Sequence, residues 1–256
     1  MITSILLGLI LPLYTFAAGL VGIPYALLSK DARSLFWLGR FGVRIGFAIA
    51  RIRIVTHGLS DLPPHPHFIY MMNHNSNLDA PAVFMKIPGP VRVLGKKELF
   101  RLPVLATAMR MGGFVPVDRS NREAAIESVS RAARIAAEGA SFLIAPEGTR
   151  SRTGDLLPFK RGGFHMALES QVPILPVTVV GAFELMPPGS FRIRSGRIDI
   201  FFHEPVETRG LQSRDRMDLI ARVRAPMEET LSRHRTGSLM TNPVQPAPAE
   251  EAPGPE

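Results

Sequence analysis

The chain has 256 residues, no cysteine and a formal charge of +8 at neutral pH. The missing cysteine excludes a thiol nucleophile, a disulfide framework and thiolate metal sites. The last 21 residues hold three glutamates and no Lys or Arg, so the remainder carries +11, a balance that calls for an anionic partner such as lipid headgroups, a phosphorylated substrate or nucleic acid.

Residues 1–29 carry no charge and are mostly apolar. As a helix they are long enough to enter or cross a hydrocarbon layer about 30 Å thick. No basic residue precedes them, and they exceed the apolar core of about 7 to 15 residues found in a cleaved signal peptide. Pro12 and Pro24, with Gly8, Gly19 and Gly22, leave two forms open: one straight span or a re-entrant hairpin. Over 35–52 the only charges are Arg40, Arg44 and Arg51. At helical spacing these fall on one stripe about 40° wide. The pattern predicts an interfacial helix with its arginines on lipid phosphates and Phe36, Trp37, Phe41 and Phe47 among acyl chains; the alternative is a helix packed on the protein's own core. Residues 1–52 are therefore assigned to the membrane. The basic residues that follow the first segment put the main domain on the cytoplasmic face of the cell inner membrane, if that segment spans.

From about residue 53 the pattern becomes α/β. A strand through Ile54 leads to the turn-rich stretch 63–67, where His65 and His67 read as surface loop residues. The apolar run Phe68-Ile-Tyr-Met-Met72 predicts a buried strand that stops at Asn73-His74. Asp79 stands five positions beyond His74, and Ala80-Pro81 after it signals a helix start. A turn between the two residues would let the carboxylate fix one ring nitrogen and free the other to take a proton from a hydroxyl. Taken alone, the pair reads as well as a loop histidine beside an N-capping aspartate.

Further strands are predicted over 91–94, 113–119, 142–145, 172–180 and, as an edge strand, 197–202. Helices fall between them, the clearest running from a cap at Ser120 or Asn121 to Gly139. This alternation predicts a mixed, largely parallel sheet flanked by helices over residues 53–235. Residues 236–256, rich in Pro, Ala and Glu, read as a disordered tail.

Two more loops carry charge at strand ends: Lys96 and Lys97 with Arg119, and Glu147-Gly148-Thr149-Arg150. Each alone is an ordinary solvated cluster. Three at the ends of successive strands make an edge suited to gripping phosphate oxygens. Lys160-Arg161-Gly162-Gly163 reads as a turn. The chain lacks GxSxG, Walker, GxGxxG and HExxH motifs. No cofactor or metal is expected, since His74 and Asp79 lack further nearby ligands.

Asn73-His74-xxxx-Asp79, Lys96-Lys97-Glu98-Leu99, Gly113-Phe-Val-Pro-Val-Asp-Arg119, Pro146-Glu-Gly-Thr-Arg-Ser151 and Val172-Pro-Ile-Leu-Pro-Val177 resemble, in order and spacing, the four blocks of the lysophosphatidic acid acyltransferase family. The resemblance covers about residues 55–205. It implies a glycerol-3-phosphate acyltransferase-like fold and transfer of a fatty acyl group from acyl-CoA or acyl-carrier protein to the sn-2 hydroxyl of 1-acyl-sn-glycerol-3-phosphate, giving phosphatidic acid. It further implies His74 as general base, Asp79 as its orienting partner, and Lys96, Lys97, Arg119, Glu147, Gly148, Thr149 and Arg150 as substrate-binding groups. Residues 172–177 would shape the sheet and the acyl path. Activity should then rise as the imidazole loses its proton. Two alternatives stay open: the same chemistry on a lyso-ornithine lipid, another lysophospholipid or glycerol-3-phosphate, and a non-catalytic basic protein that binds membrane phospholipids. Nucleic acid explains the charge but not the apolar N-terminus, and no nucleic-acid partner is expected.

Overall fold

The computed structural model describes residues 2–62, 67–118 and 120–241. The chain opens with helix α1 (Ile2–Ser29), which runs unbroken through Pro12 and Pro24. The re-entrant alternative within 1–29 is therefore not formed. The reversal comes after Ser29, where the chain enters α2 (Arg33–Ile49). Small residues let the two helices approach closely: a Cβ on Gly42 would run into the Tyr14 ring at Cε1, and one on Gly22 would sit 2.5 Å from Leu38 Cδ1. The Tyr14 hydroxyl donates to the Leu38 carbonyl at 2.7 Å. A Gly42→Val variant should thus overpack the hairpin by about 1 to 3 kcal/mol and lower the Tm in detergent by several degrees. An unchanged Tm would show that the hairpin is not packed this way.

The inner side of the pair joins the core through Leu7, Phe47 and Ala50, so Phe47, and Phe36 stacked on Phe84 and Phe114, are buried in the protein and not among acyl chains as expected. On the outer side Leu9, Leu13, Phe16, Leu20 and Trp37 are all more than half exposed, an apolar face far larger than scattered surface residues produce. The arginine stripe divides. Arg40 turns inward, donating to the carbonyls of Ile87 at 2.8 Å and Phe84 at 3.3 Å. It thereby satisfies carbonyls at the C-terminus of α3 (Asp79–Lys86), where helix carbonyls lack partners and the dipole favours a cation. Arg44 and Arg51 stay exposed.

The sheet has seven strands: β1 (Ile52–His57), β2 (Ile69–Met72), β3 (Val91–Lys96), β4 (Val115–Val117), β5 (Ser141–Ile144), β6 (Ile174–Val180) and β7 (Gly196–Phe202). Their order is β1-β7-β6-β2-β5-β3-β4, parallel throughout except between β6 and β7. The expected edge strand, β7, is internal, because β1 pairs along its outer side. Its alternation records one half-exposed face and carries no information about edge pairing.

On one face of the sheet lie α1, α2, α3 and α7 (Ala182–Leu185). On the other lie α5 (Arg122–Ala137), α6 (Arg161–Ser170) and α8 (Arg216–Thr241). A 3₁₀ turn (Lys97–Arg101) leads into the remaining helix, α4 (Leu105–Met111). Helix α8 continues past residue 235, beyond the expected start of the tail; residues 242–256 and His65 lie outside the described residues, and His67 is half-buried.

Two features of this topology open a crevice. The crossover from β2 through α3 runs over one face, while that from β5 through α6 runs over the other. Because β2 and β5 are neighbours, the chain parts at their C-terminal ends, the usual place for a site in such sheets. Strand β3 pairs with β5 only over Val91–Val93 and with β4 only over Leu94–Lys96, so the sheet also splays beyond Leu143.

Candidate active site

His74 follows the last residues of β2, and Asn73 fixes where that strand stops. The Asn73 amide bonds both ways with Val179 of β6, its Nδ2 donating to the carbonyl at 2.9 Å and its Oδ1 accepting the N–H at 2.7 Å. A side chain thus takes the place of one more ladder pair, and the next residue is free to turn out of the sheet.

The turn closes on Asp79. Its Oδ2 accepts from His74 Nδ1 at 3.0 Å and from the backbone N–H groups of Asn75 and Ser76 at 2.7 Å each. The carboxylate is fully buried and opens the first turn of α3, where a helix favours negative charge. It does not act as the N-cap, which is Leu78. With Nδ1 committed as donor, Nε2 is the nitrogen left to accept a proton, and His74 forms part of a cavity wall.

That cavity, about 940 Å³, fills the crevice. Its walls are largely apolar, from Met72, Val93, Leu94, Val129, Leu143 and Ala145, with Lys96, Thr149 and Arg150 among the polar groups. Val117 lines it as well, whereas none of residues 172–177 does; these are buried in and around β6 instead.

The expected substrate-binding groups do not stay together. Lys96, Gly148, Thr149 and Arg150 border the cavity with His74, and Lys96 also meets Glu98 at 3.6 Å. Lys97 does not reach it. Its ammonium is 2.5 Å from Asp118, and that contact, with bonds from Ser120, holds the Asp118 carboxyl well below the usual carboxylate range. Lys97 is therefore a strut between β3 and the end of β4. Arg119 lies outside the described residues.

Glu147 is buried and does not border the cavity. Its Oε1 accepts the backbone N–H of His74 at 2.6 Å and its Oε2 that of Leu157 at 2.9 Å. On its other side, the His74 carbonyl accepts the Ser151 N–H at 2.8 Å. The loop after β5 thus clamps the backbone of the histidine from both directions. Burial pushes the Glu147 carboxyl up to about 7, against the opposing pull of the two N–H donors.

Two further cations on the cavity wall, Arg122 and Lys160, are not among the residues that the sequence pattern singles out. The stem of Lys160 lies on Gly148, where a Cβ would come within 2.8 Å of Lys160 Cδ. Gly148 is also in the left-handed region, at φ +70°, so conformation and contact both require glycine there. The signal for Lys160 is present in Lys160-Arg161-Gly162-Gly163, two adjacent cations at a turn that the fold places beside the loop after β5.

Comparison with known proteins places this arrangement. A 1-acyl-sn-glycerol-3-phosphate acyltransferase of Borreliella burgdorferi is 31% identical over 118 residues, covering 46% of this chain and 47% of that protein. A chloroplast enzyme of the same description from Arabidopsis thaliana is 30% identical over 135 residues, 51% of this chain and 37% of that one. The chain thus spans less than half the length of these relatives. The crystal structure of the 1-acyl-sn-glycerophosphate acyltransferase PlsC from Thermotoga maritima superposes with a TM-score of 0.72 at 25% identity, covering 89% of this chain and 95% of that one. The family model described as Acyltransferase matches residues 53–180, which span β1 to β6 and hold His74, Asp79, Glu147 and Arg150; the chain belongs to the acyltransferase family.

Proposed function

We propose that the protein transfers a fatty acyl group from acyl-CoA or acyl-carrier protein to the sn-2 hydroxyl of 1-acyl-sn-glycerol-3-phosphate, giving phosphatidic acid. The observation that carries this reading is the His74–Asp79 pair at the wall of a largely apolar cavity that also holds Arg150. The acceptor hydroxyl gives its proton to His74 Nε2 as its oxygen attacks the thioester carbonyl. The tetrahedral intermediate collapses, the C–S bond breaks, and the proton passes from the imidazolium to the departing thiolate. Asp79 keeps Nδ1 protonated and stabilises the cation that forms, with the substrate's own hydroxyl in the role a serine plays in a triad. General base catalysis of this kind supplies about 10²- to 10⁴-fold; positioning in the cavity contributes to the rest.

Arg150, with Lys96 and Lys160 on the same wall, binds the acceptor phosphate. The apolar walls take acyl chain, and the face of α1 and α2 brings the protein to membrane phospholipid, from which the acceptor comes. We place the protein on the cytoplasmic face of the cell inner membrane, held there through the uncovered apolar face of α1 and α2.

Arg150→Ala should raise KM for a phosphate-bearing lyso-acceptor by about 10- to 100-fold, as expected for loss of a charge-assisted hydrogen bond worth roughly 1.5 to 3 kcal/mol. The kcat should change little, and a phosphate-free acceptor should be insensitive to the change. Steady-state kinetics in mixed micelles measure this, and equal losses on both acceptors would remove Arg150 from phosphate binding. The reaction itself is tested by offering purified protein labelled lysophosphatidic acid and a panel of other lyso-acceptors, with each donor. Product from a different acceptor alone would keep the mechanism and replace the substrate.

A further inference from the structure

The connection from α7 to β7, residues 186–195, carries a phenylalanine with nothing packed over it. Phe191 is 90% exposed, and Arg192 and Arg194 beside it are exposed as well. Neither arginine has a carboxylate partner among the described residues. The loop is nevertheless well braced. The Ser190 N–H donates to the Pro187 carbonyl at 3.1 Å, the Arg192 N–H to Ser190 Oγ at 3.0 Å, and the Arg194 N–H to the Leu185 carbonyl at 2.9 Å.

Ile193 faces inward onto the core, and its N–H donates to Ser4 Oγ in the first turn of α1 at 2.9 Å. Ser4 lies between Ile2 and Ile5, which are 83% and 59% exposed. The loop that carries Phe191 therefore meets α1 beside its uncovered N-terminal residues, with two cations lacking carboxylate partners flanking the ring. An apolar tip flanked by arginines suits the boundary between acyl chains and anionic headgroups, where the ring sinks and the guanidinium groups meet phosphate.

We propose that this loop is a second membrane-docking element, separate from the helical pair, and that its partner is an anionic lipid bilayer. It rests on the membrane side of the reading above and not on the chemistry. Docking at this point also sets the attitude of α1. The helix is tied to the domain at Ser4, Leu7 and Gly19, and to α2 at Tyr14 and Gly22. A bilayer that meets Phe191 at one end and Trp37 at the other lies along α1, so the helix rests in the membrane surface and does not cross it. The loop also touches the site: the Met186 carbonyl, where it begins, accepts from Ser76 Oγ at 2.8 Å, inside the turn between His74 and Asp79.

The test uses the full chain, diluted from detergent onto phosphatidylcholine vesicles with or without about 30% phosphatidylglycerol, which gives a surface potential on the order of that of an anionic membrane leaflet. Phe191→Ala should weaken partitioning about tenfold or more on both compositions. The double variant Arg192→Gln with Arg194→Gln should weaken it roughly thirtyfold on the anionic vesicles only, an effect that high salt abolishes. Turnover on micellar substrate should be unchanged in both, which separates a failure of docking from a failure of the acyltransferase reading. With Trp37→Phe as background, Phe191→Trp should give an emission that shifts blue on vesicles and is quenched by brominated acyl chains. Wild-type partitioning by all variants, or a tryptophan at 191 that stays in water or is shielded only by a second protein, would overturn the proposal.

Discussion

His74→Ala should lower kcat by about 10²- to 10⁴-fold while leaving the fold and vesicle binding intact. The ring is half-buried and bonds to Asp79 through Nδ1, so its removal costs chemistry more than packing. Asp79→Asn should cost both. An asparagine oxygen can take over the three N–H groups that now converge on Oδ2, but its Nδ2 would then occupy the place of Oδ1, which is buried without a hydrogen-bond partner among the described residues. An unsatisfied buried donor costs about 1 to 3 kcal/mol. The neutral side chain also stops stabilising the imidazolium and no longer fixes the tautomer with Nδ1 protonated; the same substitution in a serine protease triad costs about 10⁴-fold through the wrong tautomer. Single-turnover rates with thermal unfolding in detergent separate the two variants: the first inactive but as stable as wild type, the second inactive and less stable. If His74→Ala keeps more than a tenth of the activity, the general base lies elsewhere, and the reading of the site as a hydroxyl-activating pair fails. A variant that binds vesicles normally yet makes no product also excludes a purely lipid-binding role.

How much of this is legible in the sequence follows from the range of the interactions. The pairing of His74 with Asp79 is local, set by a strand end, a five-residue step and a helix start, and it can be read from the residues between. So can the apolar character of α1, which depends on composition alone. What cannot be read depends on contacts between distant parts of the chain. Arg40 looks lipid-facing because its helical stripe is polar, yet the C-terminal carbonyls of α3 lie 44 to 47 residues away and claim it. Lys97 and Lys96 are adjacent in sequence, but Lys96 ends β3 and borders the cavity while Lys97 opens the 3₁₀ turn and meets Asp118. The internal position of β7 rests on β1, which stands near the other end of the domain in sequence. Glu147 is the most instructive case. It stands between residues that line the cavity, so its charge suggests a substrate contact, but the turn after β5 points it down, under the backbone of His74.

That inversion makes Glu147→Gln the most informative single change outside the catalytic pair. The carboxylate accepts two backbone N–H groups, one on each oxygen. A carboxamide has one acceptor oxygen, so its NH₂ must face the N–H of either His74 or Leu157, leaving one buried bond broken. We expect kcat to fall about 10- to 100-fold with KM for the acceptor nearly unchanged, because Arg150 and Lys160 keep their places while the histidine loses part of its clamp. Loss of substrate affinity instead, with kcat preserved, would return Glu147 to the binding set. A second readout is stability against pH. Folding raises the Glu147 carboxyl from 4.5 to about 7. The folded state therefore binds more protons than the unfolded chain between those values, and wild-type stability should fall as pH rises through that window. The full effect is on the order of 3 kcal/mol, complete a little above pH 7. Glutamine does not titrate, so the variant should be clearly less stable than wild type near pH 5 and lose that disadvantage, or reverse it, near pH 8. A stability difference that stays constant from pH 5 to 8 would mean that Glu147 is ionised throughout, held by its two N–H donors against the cost of burial.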